Sequence, residues 1–237
     1  MKRRPSDRSN SAIVVAEAEM PSTSRAARPT SLSSAKQERL KARKFFTIGH
    51  DYRGGGKGPG IKLINGKALI TTGMTMFCPP RGRRGFALPL AETPHFIEEK
   101  GYRPTRDLEA NGFYWFISQR TKEVFESVDP EGFAFVPCDF TLPDGSKGDP
   151  RYLCDVIREL DAIDEEKSQV RIKYDQGAKI YSVAGGASLA FDEAKIGSAR
   201  IFEQPQLGTS FICDDVLRDA CKSAKLTGIL FRDAADL

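Results

Sequence analysis

With 237 residues, 40% of them hydrophobic, and a formal net charge of +4, the chain is long enough to bury a real core as one large domain or two small ones. Five cysteines without CxxC spacing and only two histidines, His50 and His95, argue against a disulfide framework and against a zinc-type cluster. No stretch approaches a transmembrane span, and the apolar run Ala12 to Ala16 is shorter than the core of a signal peptide, so a reducing cytoplasm is the expected location.

The charge is unevenly distributed. Residues 1–44 carry +7, residues 45–128 carry +4, and residues 129–237 carry −7. The first segment is rich in Ser, Arg, Ala and Pro and poor in large apolar groups, so it reads as a disordered basic tail. The remainder divides into an N-terminal β-rich part, 45–128, and a C-terminal α+β part, 129–237.

Order is expected from Phe45 to Ile48 onward. The loop Gly54 to Gly60 resembles a phosphate loop only superficially: no Gly-Lys-Ser/Thr follows a strand, and Pro59 lacks an N–H. Ile61 to Ile64 and Lys67 to Ile70 flank Asn65-Gly66, which predicts a hairpin. Arg81, Arg83 and Arg84 then sit on a Gly/Pro-rich loop, where arginines are usually solvated but can also meet phosphates. The aromatic run Gly112 to Ile117 predicts a buried strand. Ser118 caps a helix over 119–128 that turns Val124, Phe125 and Val128 inward and stops before Pro130. Phe133 to Phe140 predicts a strand, with Pro137 marking an edge or a bulge.

The strongest periodic signal lies in Arg151 to Ser168. Leu153, Val156, Ile157, Leu160 and Ile163 recur at three- and four-residue steps, which predicts an amphipathic helix begun by Asp149 and Pro150. Its outward positions hold Asp155, Glu159, Glu165 and Glu166. Asp164 falls on the apolar stripe, so either the helix frays there or Asp164 is buried with a partner such as Lys167. Farther on, Val170 to Tyr174 and Lys179 to Val183 alternate around Asp175 to Gly177 as a second hairpin. Short strands are expected at 188–191, 200–202 and 210–213. A last helix from Asp214-Asp215 buries Val216, Leu217, Ala220, Cys221 and Ala224, and a closing strand covers 229–231 after Gly228. Strands joined by hairpins, with separated helices and no regular βαβ repeat, define α+β: mixed, mainly antiparallel sheets packed on a few amphipathic helices.

No catalytic constellation stands out. His50 and Asp51 are adjacent in sequence, which says little about cooperation through the fold. Asp214 and Asp215 are explained as helix caps, and Cys213 as an apolar strand end. The acidic positions of 151–168 are either a solvated face or a surface that meets a basic partner.

From Trp115 onward, Ile117-Ser118 opening a helix, Phe135 to Pro137, Leu160 to Asp164 with Lys167-Ser168, Ile201-Phe202, Phe211-Ile212, and the ending Ala220 to Lys225 with Gly228 and Phe231 form a recognisable order. It resembles the bacterial immunity-protein family numbered eleven in polymorphic toxin systems. The resemblance implies an α+β protein without catalytic motif, made beside a secreted toxin and protecting its producer by binding that toxin. Asp155, Glu159, Glu165 and Glu166 are then the candidate partner-binding residues, and no cofactor or metal is expected. The alternatives are a nucleic-acid-binding accessory protein using the tail and Arg81, Arg83 and Arg84, or a small hydrolase or transferase using His50 or Cys213.

Overall fold

Chain order alternates short strands with brief helices. The computed structural model describes residues 42–53, 57–69, 84–208 and 210–237, all within one unit, Ala42–Leu237. Its strands begin with β1 (Phe45–His50) and β2 (Ile61–Leu63), followed by the one-turn helix α1 (Gly66–Leu69). Next come β3 (His95–Glu98), β4 (Leu108–Asn111), β5 (Tyr114–Ser118), helix α2 (Gln119–Val128), β6 (Phe133–Thr141) and β7 (Arg151–Val156). The chain then forms β8 (Arg171–Asp175), β9 (Ala178–Ser182), a one-turn helix α3 (Glu193–Ile196), β10 (Ile201–Glu203) and β11 (Phe211–Asp214). Helix α4 (Asp215–Ser223) and strand β12 (Ile229–Asp233) close it.

Two sheets carry the fold. One has the order β10-β11-β1-β12 and is antiparallel throughout; the other has the order β2-β3-β6-β7-β5-β4, with β3 and β6 its parallel pair. The pairs β1·β11 and β5·β7 join segments from before and after residue 128. The arrangement is α+β, with mixed, mainly antiparallel sheets and short helices.

β5 explains how the sheets are held. Alternation sends Trp115 and Ile117 into a core shared with Phe46, Phe125, Phe211 and Leu217, while Tyr114 and Phe116 enter another core with Phe96 and Leu153. A strand buried on both faces must read as a continuous apolar run, and this one does. In the shared core the Phe125 and Phe133 rings stack at 4.4 Å, and Trp115 meets Phe211 edge-on at 5.0 Å. Helix α2 starts where expected, with Ser118 Oγ accepting from Thr121 N at 3.2 Å, and it buries Phe125 while Val124 and Val128 pack at its margin. Helix α4 is capped by Asp214 and buries Leu217 and Cys221, although Val216 is exposed.

The helix predicted over 151–168 does not form. Residues 151–156 are β7, lying between β5 and β6, with Cys154 opposite both Trp115 and Phe135. Leu153 to Val156 are all buried, as an inner strand requires, and Pro150 precedes the strand, where its missing N–H interrupts no ladder. Of the remaining apolar residues, Ala162 and Ile163 enter a separate core from a non-helical path with Leu160 packed against it, whereas Ile157, on the supposed stripe, is 39% exposed. The helical period was a coincidence of one buried strand followed by buried coil. Asp164 instead caps a turn, accepting from Lys167 N and pairing with the Lys167 side chain.

The hairpin predicted at Asn65-Gly66 is also absent. β2 pairs with β3, and Gly66 starts α1; Asn65 ties the two strands by accepting from His95 N and donating to Thr93 O, both at 2.9 Å. Expected strand 188–191 is reduced to single bridges at Ser188 and Phe191. The second hairpin forms with the predicted turn, Gln176 and Gly177 both having positive φ, 49° and 84°. Pro137 sits where β6 has only β7 beside it, since β3 pairs with Asp139 to Thr141. The tail's residues 1–41, Arg81, Arg83, Cys78 and Gly54 to Gly56 lie outside the described residues.

Phe125 is fully buried among rings. Phe125→Ala is expected to cost about 3–5 kcal/mol in urea unfolding, and a loss below about 1 kcal/mol would mean that this core does not hold the sheets together.

Candidate functional site

Asp155, the first residue of the expected acidic face, is 2% exposed. It accepts from Gly85 N at 2.7 Å and from Arg84 Nη1 at 3.1 Å. The same guanidinium reaches Glu203 on β10 at 2.5 Å and lies over the Phe211 ring. Arg84 is therefore no solvated loop cation: it ties β7 of one sheet to β10 of the other. One cation serves two buried carboxylates, so burial dominates and pushes the Asp155 carboxyl up to about 6 despite the bonds from Gly85 and Arg84.

The other three acids diverge. Glu159 is half-buried, and its backbone bridges to Glu203. Glu165 and Glu166 are exposed on a turn. Glu165 accepts from Tyr181 Oη at 2.6 Å and pairs with the Lys179 ammonium. These hydrogen bonds, Lys179 first, hold the Glu165 carboxyl below its ordinary value. Asp161, Asp164, Glu165 and Asp192 line an open bay of about 400 Å³ with Lys179 and Lys195. A local acidic surface thus exists, assembled by a turn and α3's start rather than by one helix.

A second cleft, of about 420 Å³, runs between β1 and the β4–β5 turn and is lined by Tyr52, Phe113, Trp115, Phe211 and Arg232, with His50 at one end. His50 Nε2 lies 2.7 Å from Glu109 Oε2 and 2.9 Å from Arg106 Nη2. Burial alone would raise the Glu109 carboxyl, but hydrogen bonds from Arg103, Arg106 and His50 bring it down to about 2. The three-residue spacing of Arg103, Arg106 and Glu109 was a signal that could have exposed this network. It is an internal ion cluster: both Glu109 oxygens are occupied by arginines.

Catalytic alternatives find little geometry. Burial pushes the Cys213 and Cys154 thiols well up, and those of Cys138 and Cys221 up to about 12, so none is a ready thiolate. Asp214 is buried as the α4 cap and is bound by Arg43 and Arg200. Among the described residues no group of three His, Cys, Asp or Glu side chains is placed to hold a metal ion, and no helix is long and apolar enough to cross a membrane.

What the described surface offers is a charged bay and an aromatic cleft on a two-sheet body. The chain belongs to the immunity protein family Imm11, whose family model matches residues 44–236. Proteins of this family are the immunity partners in polymorphic toxin systems, pointing to toxin neutralisation and generally to no catalysis. A search of curated proteins finds no match.

Asp155 gives a pH test. Below about pH 4 its carboxyl is neutral in the folded and unfolded chain; between there and pH 6 only the unfolded chain ionises, so this group's contribution to stability falls as pH rises and is lowest above 6. The stability of Asp155→Asn relative to wild type should therefore rise by about 2–3 kcal/mol from pH 4 to pH 7.5, measured by urea unfolding. A flat difference would show that ionising this buried acid is not costly.

Proposed function

We propose that this chain binds and neutralises a cognate secreted antibacterial toxin in the cytoplasm of the cell that makes both, acting by occupation rather than by catalysis. The family match across residues 44–236 carries this reading. The toxin-facing surface is the acidic turn and its bay: Glu165 and Glu166 are exposed on it, Asp161 and Asp164 flank them, and half-buried Glu159 lies at its approach. Asp155 contributes from inside, by fixing Arg84. Carboxylates at the rim of an interface chiefly set the rate and selectivity of encounter with a basic partner, while a few aromatic or arginine anchors supply most of the affinity.

This reading requires a secreted effector encoded beside this gene, and the probe is that effector's C-terminal domain. Co-expression with the chain should restore growth to cells producing that domain. Reversing Glu159, Glu165 and Glu166 to lysine should lower the association rate about tenfold at low salt and flatten its salt dependence. Unchanged rate, affinity and salt dependence would remove the acidic turn from the interface, whereas absence of protection by the wild-type chain would overturn the neutralisation reading itself.

A further inference from the structure

The β8–β9 hairpin belongs to neither large sheet. A two-stranded ribbon is marginal by itself, and this one is fixed at its base, where Tyr181 is buried in a core and its hydroxyl donates to Glu165. Beyond that anchor all five residues of β8 are exposed. Ile172 is 38% exposed and Tyr174 72% on one face of the ribbon, and Ile180 37% on the other. Arg171 and Lys173, alternating with them, make no ion pair among the described residues.

The register tells which backbone groups are free. With a two-residue turn at Gln176-Gly177, Asp175 and Ala178 form the first hydrogen-bonded pair, followed by Lys173 with Ile180 and Arg171 with Ser182. Ile172 and Tyr174 then aim their N–H and C=O groups away from β9. Among the described residues, no backbone hydrogen bond formed outside the regular elements uses either group. Among the described residues β8 therefore presents an unpaired edge with two outward donors, two apolar side chains on one face and two cations without an ion pair on the other. Soluble proteins usually cover or blunt such edges.

We propose that this edge receives the toxin: an extended, acidic segment of the toxin adds to β8 as a third strand, its carboxylates meeting Arg171 and Lys173 and its apolar side chains packing on Ile172 and Tyr174. The inference rests on the neutralisation reading and specifies its anchor. Backbone pairing supplies affinity along such an edge, and alternate side chains supply selectivity. The acidic turn touches the same hairpin through Lys179 and Tyr181, which share the ribbon face of Ile172 and Tyr174, while Arg171 and Lys173 lie on its other face; the acidic bay thus adjoins the apolar side of β8. A partner must match both signs in order, which fixes its orientation.

The test uses the whole chain and the neighbouring effector's C-terminal domain, by calorimetry and by light scattering. Tyr174→Ala removes an anchor, and Tyr174→Pro also deletes an outward N–H while leaving the β8–β9 bonds in place. Tyr174→Ala should weaken binding about 30-fold, and Tyr174→Pro further, with thermal midpoints near that of wild type. Lys173→Glu should slow association. If wild type binds and both Tyr174 variants bind within about twofold of it, the hairpin is not the anchor, although neutralisation stands. Equal losses for Pro and Ala would contradict strand addition. Wild type failing to bind would overturn both readings, and a wild-type dimer dissolved by Tyr174→Pro would assign the edge to a second copy of the chain.

Discussion

Arg84 sets one positive charge against two carboxylates that the fold takes out of water, Asp155 on β7 and Glu203 on β10. Because those strands belong to different sheets, the contact governs how the sheets meet as well as how the charges are satisfied. An unpaired carboxylate at either position would be expensive, so Arg84 has to stay, and the chain entering at Gly85 is pinned with it. The apolar core beneath can then close, with Phe211 taking the guanidinium on its ring face.

The same device recurs around the body. Asp129 accepts from Arg158 and from the backbone N–H groups of Arg200 and Ile201, joining the end of α2 to β7's exit and to β10. Asp214 caps α4 while holding Arg43 and Arg200. Glu109 gathers Arg103, Arg106 and His50. Four of the acids in residues 129–237, Asp129, Asp155, Glu203 and Asp214, are therefore buried and join irregular segments to short strands. The other acids there are half-buried or exposed, among them those of the turn around Glu165 and Glu166, which touches a hairpin with cations of its own.

Elements with unambiguous local chemistry were legible in the sequence. Ser118 beside an apolar-periodic segment, the Asp214 cap and the Gln176-Gly177 turn each specify a backbone geometry that does not depend on distant partners. β7 was not legible, because an inner strand loses the two-residue alternation and its neighbours β5 and β6 are what make it a strand. Asn65-Gly66 misled for the opposite reason: the dipeptide suits a hairpin, but β3 captures β2 and Asn65 serves as the clasp. Of the candidate site, Glu165 and Glu166 remain at the surface, whereas Asp155 was misplaced because nothing local signals that Arg84, far away in sequence, will bury it.

The toxin contact that we propose lies accordingly not on a helix face but on one patch made by a turn and a ribbon. Hydrogen exchange on the full chain, alone and with the C-terminal domain of the effector that the proposal requires, tests that account most directly. It predicts slowed exchange concentrated in residues 161–182, strongest at the amides of Ile172 and Tyr174. Slowing confined to the cleft between β1 and the β4–β5 turn, with residues 161–182 unchanged, would contradict it.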